Sequence, residues 1–260
     1  MSASVVIARK ELKGFFLTPT FYIIAGVICV ILSLLFPVHF TIFVTAAQMA
    51  AQQIGGGGQQ ANIHYGLYLR HLNYLNLLLI FVVPAMTMKM FAEEKKMRTF
   101  DLLLTAPVTS WDIVWGKFLA VSGAVLAIML IALLYPLITL MFVKQIHWPS
   151  LILAFSGIFI LSLVYVAMNL FCSSLTGSVL IAFILSVILN ISIWFVGIGV
   201  EVVDSQWARD LFEHISLSNQ LSGLVQGTLR TQSIAFFISA IALFLFLAER
   251  VVESHRWRAS

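Results

Sequence analysis

Charge is what this chain has least of. Lys, Arg, Asp and Glu make up 10 % of its 260 residues against 61 % hydrophobic ones. With a mean hydropathy of +1.01, that removes it from the soluble globular class, whose charged share is roughly 25 %. No Asp or Glu falls inside any of the long apolar runs. Carriers driven by ion or proton gradients usually place such groups at mid-membrane, so their absence weighs against a self-powered carrier. Cysteine is scarce too: Cys29 and Cys172 both sit in apolar runs, where neither a disulfide framework nor a zinc site has support, and they read as packing residues. Phosphate-binding loops are missing. Gly56, Gly58 and Ala61 of "AAQQIGGGGQQAN" can be forced onto G-x-G-x-x-A, but no strand precedes them. At Gly116-Lys117 the Ser/Thr position is Phe118, and no glycine stands five residues upstream. His214 has no companion His, Cys or carboxylate cluster at ligand spacing. No nucleophile–base set lies at membrane depth, so catalytic, cofactor and metal residues are all read as none.

What is present is apolar length. Six runs, at about 21–44, 72–91, 118–143, 151–172, 178–200 and 233–248, reach or approach the 20 or so residues a helix needs to cross roughly 30 Å of hydrocarbon. The last is the shortest. The chain reads as an all-α integral membrane protein with a single transmembrane domain over 1–260. Six spans put both termini on one side, and Lys and Arg are retained on the cytoplasmic side. That side carries Arg9, Lys10, Lys13, Lys89, Lys95, Lys96, Arg98, Lys117, Arg250, Arg256 and Arg258, against Arg70, Lys144, Arg209 and Arg230 opposite. Both termini are therefore expected in the cytoplasm, and the first run is read as an uncleaved span. The same bias accounts for the net charge of +4, so no nucleic-acid partner is needed.

Residues 4–16 place Val5, Ala8, Leu12, Phe15 and Phe16 on one stripe, with Arg9, Lys10 and Lys13 on the adjoining face. This predicts an amphipathic leading helix on the cytoplasmic membrane surface; the plainer reading is a charged lead-in to the first span. Asn73, Asn76, Asn169, Asn190, Thr87 and Ser162 are polar within the spans and read as helix-to-helix contacts. Pro84 and Pro136 are expected to kink their helices. Residues 201–231 alternate polar and apolar at helical spacing, predicting two short external helices, with Trp207, Leu211 and Phe212 toward lipid or the spans.

The connector "FAEEKKMRTFDLLLTAPVTSWDIVWGK", residues 91–117, gathers charges that would cost roughly 2.5–3.5 kcal/mol for each Asp, Lys or Arg placed at a helix centre in the bilayer. It therefore lies in the cytoplasm or at its boundary. Glu94 and Arg98 form an i,i+4 pair, and Met97, Phe100, Leu103 and Leu104 one apolar side, predicting a helix that Pro107 ends. Thr109 and Asp112 match a capping box that starts a second helix running into the third span. The residues alone leave two readings: a loop whose leucines rest on the membrane, or a mechanical handle gripped by another protein.

The run Phe91, Glu93, Glu94, Lys95, Thr99, Leu102, Leu103, Leu104, Thr105, Pro107, Val108, Ile113, Val114, Gly116 and Lys117 resembles the signature of ABC-2 type transporter permeases, in particular the gliding-motility-type permease subunits. "ARKELKGFFLTPTFYI" is similar to that family's leading helix, and "LVQGTLRTQSIAFF" with "SHRWR" to its last external loop and terminus. Arg98 stands where the family usually has Gly, and Asp101 where it usually has Glu; Arg98 is expected to keep the helix continuous. The resemblance implies a permease without ATPase activity in the bacterial inner membrane, paired with a second permease copy or an auxiliary membrane subunit. Two ATP-binding subunits would hold the ATP and Mg, with no cofactor on this chain. It implies a coupling helix with Glu93, Glu94, Lys95, Arg98, Thr99, Asp101, Leu104 and Pro107 at the docking surface, together with Arg9, Lys10, Glu11 and Lys13 of the leading helix. The rival function is a membrane anchor of an envelope or motility machine that transports nothing.

Overall fold

The computed structural model describes residues 2–52, 63–100, 108–141, 147–202, 205–228 and 230–259. Among them every regular element is helical: α1 (Ala3–Leu17), α2 (Pro19–Gln52), a π-helical turn (His64–Tyr68), α3 (Leu69–Thr87) and α4 (Lys89–Lys96) come first. They are followed by α5 (Ser110–Ala132), α6 (Leu134–Thr139), α7 (Trp148–Leu175), α8 (Val179–Val202), α9 (Gln206–Ile215), α10 (Leu217–Val225) and α11 (Thr231–Ala259). Among the described residues six stretches are long and apolar enough to cross a membrane: Pro19–Ala50, His64–Lys96, Ser110–Thr139, Trp148–Leu175, Val179–Gly197 and Thr231–Arg256. The expected all-α membrane architecture is the observed one, with longer helices than the apolar runs alone gave. The sixth, expected over 233–248, continues through Arg256.

Burial sorts these spans into two groups. The most apolar windows of the second, third and fourth are 61, 56 and 67 % buried, and those of the first, fifth and sixth only 22, 17 and 22 %. The former three form the core and the latter three present apolar surface to their surroundings. α7 is the central post, packed against α3, α5, α8, α10 and α11. Its small and polar residues allow this. Gly157 lets Leu224 of α10 approach to where a Cβ would lie 2.9 Å from it. Ser173 Oγ accepts from the amides of Phe91 (3.2 Å) and Ala92 (3.3 Å) and donates to Met88 O (3.1 Å). Those groups are freed where the second span breaks at Met88, four residues beyond Pro84. Pro84 lies within an uninterrupted α3, whereas the third span breaks at Leu133, three residues before Pro136, where proline lacks the N–H and its ring crowds the carbonyl four residues back.

The leading helix rests on protein along one side and keeps apolar residues exposed along the other. Ile7, Leu12 and Phe15 pack against the protein core, while Val5 and Phe16 of the expected stripe are exposed. Ser4 and Ile7 meet Gly116, and Leu12 meets Gly123, so α1 follows α5 in the same sense, with Ile7, Leu12 and Phe15 half-buried on protein and no residue of the helix fully buried. Gly116 makes this possible, since a Cβ there would come within 2.7 Å of Ile7 Cβ and 2.9 Å of Ser4 O. The two short helices between the fifth and sixth spans are α9 and α10. α10 buries Leu217, Leu221, Leu224 and Val225, whereas Trp207 on α9 is exposed.

Candidate functional site

The site is the junction where α1, α4, α5 and the end of α11 meet. Its centre is Lys117, two turns into α5, whose side chain is only 1 % exposed. Its Nζ donates to Met90 O (2.6 Å) and Glu94 Oε1 (2.7 Å), lies 4.0 Å from Glu11 Oε1, and sits 5.1 Å from the centre of the Phe91 ring. A buried ammonium is tolerable only with such compensation. One cation thereby ties the leading helix, the end of the second span and the start of the third into one body.

This geometry corrects the expected local pairing of Glu94 with Arg98. Glu94 turns inward to Lys117, because a buried lysine without a counter-charge costs far more than a surface i,i+4 pair returns. The expected helical continuity through Arg98 is also overturned. α4 ends at Lys96, and Arg98 adopts φ 55. Thr99 N donates to Glu94 O (3.0 Å) and Arg98 N to Lys95 O (3.2 Å), which is the Schellman arrangement, with Arg98 in the left-handed position that glycine usually fills. The chain thus makes the turn a glycine would make there, at the expense of a strained backbone.

The expected docking residues divide in two. Glu93, Arg98 and Thr99 are exposed, as are Lys96 and Met97 (67 %). Glu94 and Lys95 face inward. Lys95 Nζ donates to Ser174 O and lies 2.8 Å from His255 Nε2 and 5.4 Å from the Phe100 ring centre. Arg9, Lys10 and Lys13 are exposed and Glu11 is half-buried. The leading helix and α4 share one cleft of about 660 Å³, whose walls include Lys10, Glu11, Phe15, Lys89, Glu93 and Met97. Asp101, Leu104 and Pro107 lie outside the described residues.

Beyond the cleft, Thr109 and Asp112 form the expected capping box: Asp112 N donates to Thr109 Oγ1 (3.1 Å) and Thr109 N to Asp112 Oδ2 (3.2 Å). Sequence reasoning missed the part played by the last helix. Arg256 donates to Val108 O (3.2 Å), Ser110 Oγ donates to Glu253, and His255 reaches Lys95 and the Phe100 ring. One face of α11 therefore holds both flanks of the connector. The signal was available in "ERVVESHR", where Glu249, Glu253 and Arg256 recur at helical spacing just beyond an apolar run. By sequence Lys117 counts as a cytoplasmic flank charge; its place two turns past the helix start at Thr109 and Asp112 was the signal that it lies deeper.

A polytopic helical membrane protein whose two flanking helices brace one intervening connector is the class that these features define. The family model described as ABC-2 family transporter protein matches residues 5–248, and the chain belongs to that family as a membrane permease of an ABC transporter. Family membership implies a membrane setting and an ATP-binding partner. No individual curated protein matches the chain.

Proposed function

We propose that this chain is the permease half of an ATP-driven exporter of the bacterial inner membrane, with both termini cytoplasmic. On this reading it takes its mechanical stroke from separate ATP-binding subunits through the 91–117 connector. Two such subunits, which hold the ATP and Mg, would act on a pair of permeases, the second being another copy or an auxiliary membrane subunit. The carrying observation is the Lys117 junction. A push on α4 or α1 is delivered to the third span through a buried ammonium, and to α7 and α11 through Lys95, so displacement at the surface moves helices as a body. The outward set Glu93, Lys96, Met97, Arg98 and Thr99, with Arg9, Lys10 and Lys13 beside the shared cleft, forms the docking face. Asp101, Leu104 and Pro107 remain assigned to that face by resemblance. The Phe91–Lys117 motif supports the gliding-motility-type branch of the family. ATP can drive such a machine only if it binds the closed pair of ATP-binding subunits more tightly than the open one.

The test reverses charge where the side chain is free. Glu93→Lys combined with Lys96→Glu leaves the Lys117 junction intact and should abolish co-purification of the ATP-binding subunit, or its ATPase stimulation, while the permease keeps its melting temperature. Unaltered co-purification and stimulation would overturn the docking assignment.

A further inference from the structure

The second span ends at Lys96 and the fifth begins at Val179, and these two ends wall one groove of about 720 Å³ on the same face of the bundle. That is the size of a small-molecule site. Its floor is hydrocarbon, made by Ala85, Met88, Val179, Leu180 and Phe183. Leu180 is 67 % exposed and the fifth span is the least buried of the six, so the groove opens on the flank that this span turns to its surroundings. The polar part of the lining is Lys96 together with Gly177 and Ser178, in the turn from α7 to α8. Ser178 N donates to Thr176 Oγ1 (3.1 Å), which fixes that turn.

Charge is sorted between this groove and the cleft that α4 shares with the leading helix. Glu11, Glu93 and Glu94 line the cleft, and among the described residues no carboxylate lines the groove. Two neighbouring lysines part in the same way. Lys95 turns inward to Ser174 O and His255 Nε2, whereas Lys96 is exposed and makes no ion pair or hydrogen bond among the described residues. The groove therefore sets one uncompensated ammonium beside a hydrocarbon floor at the end of two membrane spans. Water alone satisfies the ammonium and leaves the floor wet; a hydrocarbon chain alone covers the floor and leaves the ammonium without a counter-charge. An amphiphile with an anionic head satisfies both, and the adjoining leaflet supplies it.

We propose that this groove seats one anionic phospholipid, its phosphate on Lys96 and an acyl chain against Val179, Leu180 and Phe183. The leaflet is the cytoplasmic one on the orientation proposed above; the binding does not depend on that reading. Seated there, the lipid touches both α4 and the fifth span, bracing the outward side of α4 as Lys117 braces its inward side. Binding is measured on the full-length permease without an ATP-binding subunit, so this proposal and the docking assignment can each fail alone. The permease is incorporated into nanodiscs holding phosphatidylglycerol and phosphatidylethanolamine of the same acyl chains at equal mole fraction, and native mass spectrometry reads the lipid retained on release. One lysine near a membrane surface favours an anionic lipid about fivefold, so phosphatidylglycerol should be retained about fivefold over phosphatidylethanolamine. Lys96→Gln should bring that ratio close to one at an unchanged melting temperature, since its ammonium holds nothing in the fold. Val179→Phe, which fills the floor, should lower retention of both lipids. Lys89→Gln removes an exposed lysine of the neighbouring cleft and should leave the ratio as in wild type. Equal retention of the two lipids by wild type, undiminished retention in Val179→Phe, or a fall in Lys89→Gln as large as in Lys96→Gln would overturn the proposal, the last by assigning the preference to the basic face as a whole.

Discussion

Replacing Lys117 by Met tests the junction most directly. The methionine fills nearly the same volume, so the loss is electrostatic rather than steric. It strands Glu94 Oε1, now 2.7 Å from the ammonium, beside an Oε2 that already lacks a partner, and it frees Met90 O. Removing one member of a fully buried pair costs roughly 3–5 kcal/mol. Glu94 and Glu11 retain 23 and 20 % side-chain exposure, so partial hydration of the carboxylates places the cost near the lower end, about 3 kcal/mol. At about 2–4 °C per kcal/mol for a chain of this size, that is a melting-point drop of roughly 6–12 °C in detergent. The double variant Lys117→Met/Glu94→Gln removes the stranded charge and should recover about half of it. A single variant that melts within about 1 °C of wild type, or a double variant as unstable as the sum of its parts, would refute the junction's role.

Gly116→Ala puts a methyl against Ser4 O and Ile7 Cβ and should cost about 1–3 kcal/mol, seen as faster proteolysis at residues 9–13 as α1 lifts from α5. Arg98→Gly should relieve the left-handed backbone and gain about 1 kcal/mol, read as a melting-point rise of about 2–4 °C. Glu253→Ala with Arg256→Ala removes two hydrogen bonds worth about 1 kcal/mol each, and should raise amide exchange at residues 97–100 and 108–110 without altering exchange in α3.

The helices were legible and their partners were not. Apolar run length located all six spans because hydrocarbon thickness is a one-dimensional constraint, and Thr109 with Asp112 disclosed a helix start because capping acts over three residues. The sixth span outran its apolar run because hydropathy falls at Glu249 whereas the helix continues; its charges are taken up by the connector 140-odd residues earlier in the chain. Local rules failed where a long-range demand was stronger: Glu94 has a surface partner at i+4 and a buried one at Lys117, and desolvation decides for the latter. Arg98 deceived for a different reason. Nothing in an arginine announces a left-handed backbone, and only the glycine usual at that point in the resembled motif hinted at a turn. The leading helix was correctly drawn as a helix, but an apolar stripe does not say whether lipid or protein will cover it.

The Lys117 junction also bears on biogenesis. Glu11 and Glu94 both leave the ribosome before Lys117 does, so the two anions that will neutralise this ammonium are already at the membrane when the third span is being inserted. Reordering the chain by circular permutation, with α5 synthesised first, would ask the translocon to accept that cation unaccompanied.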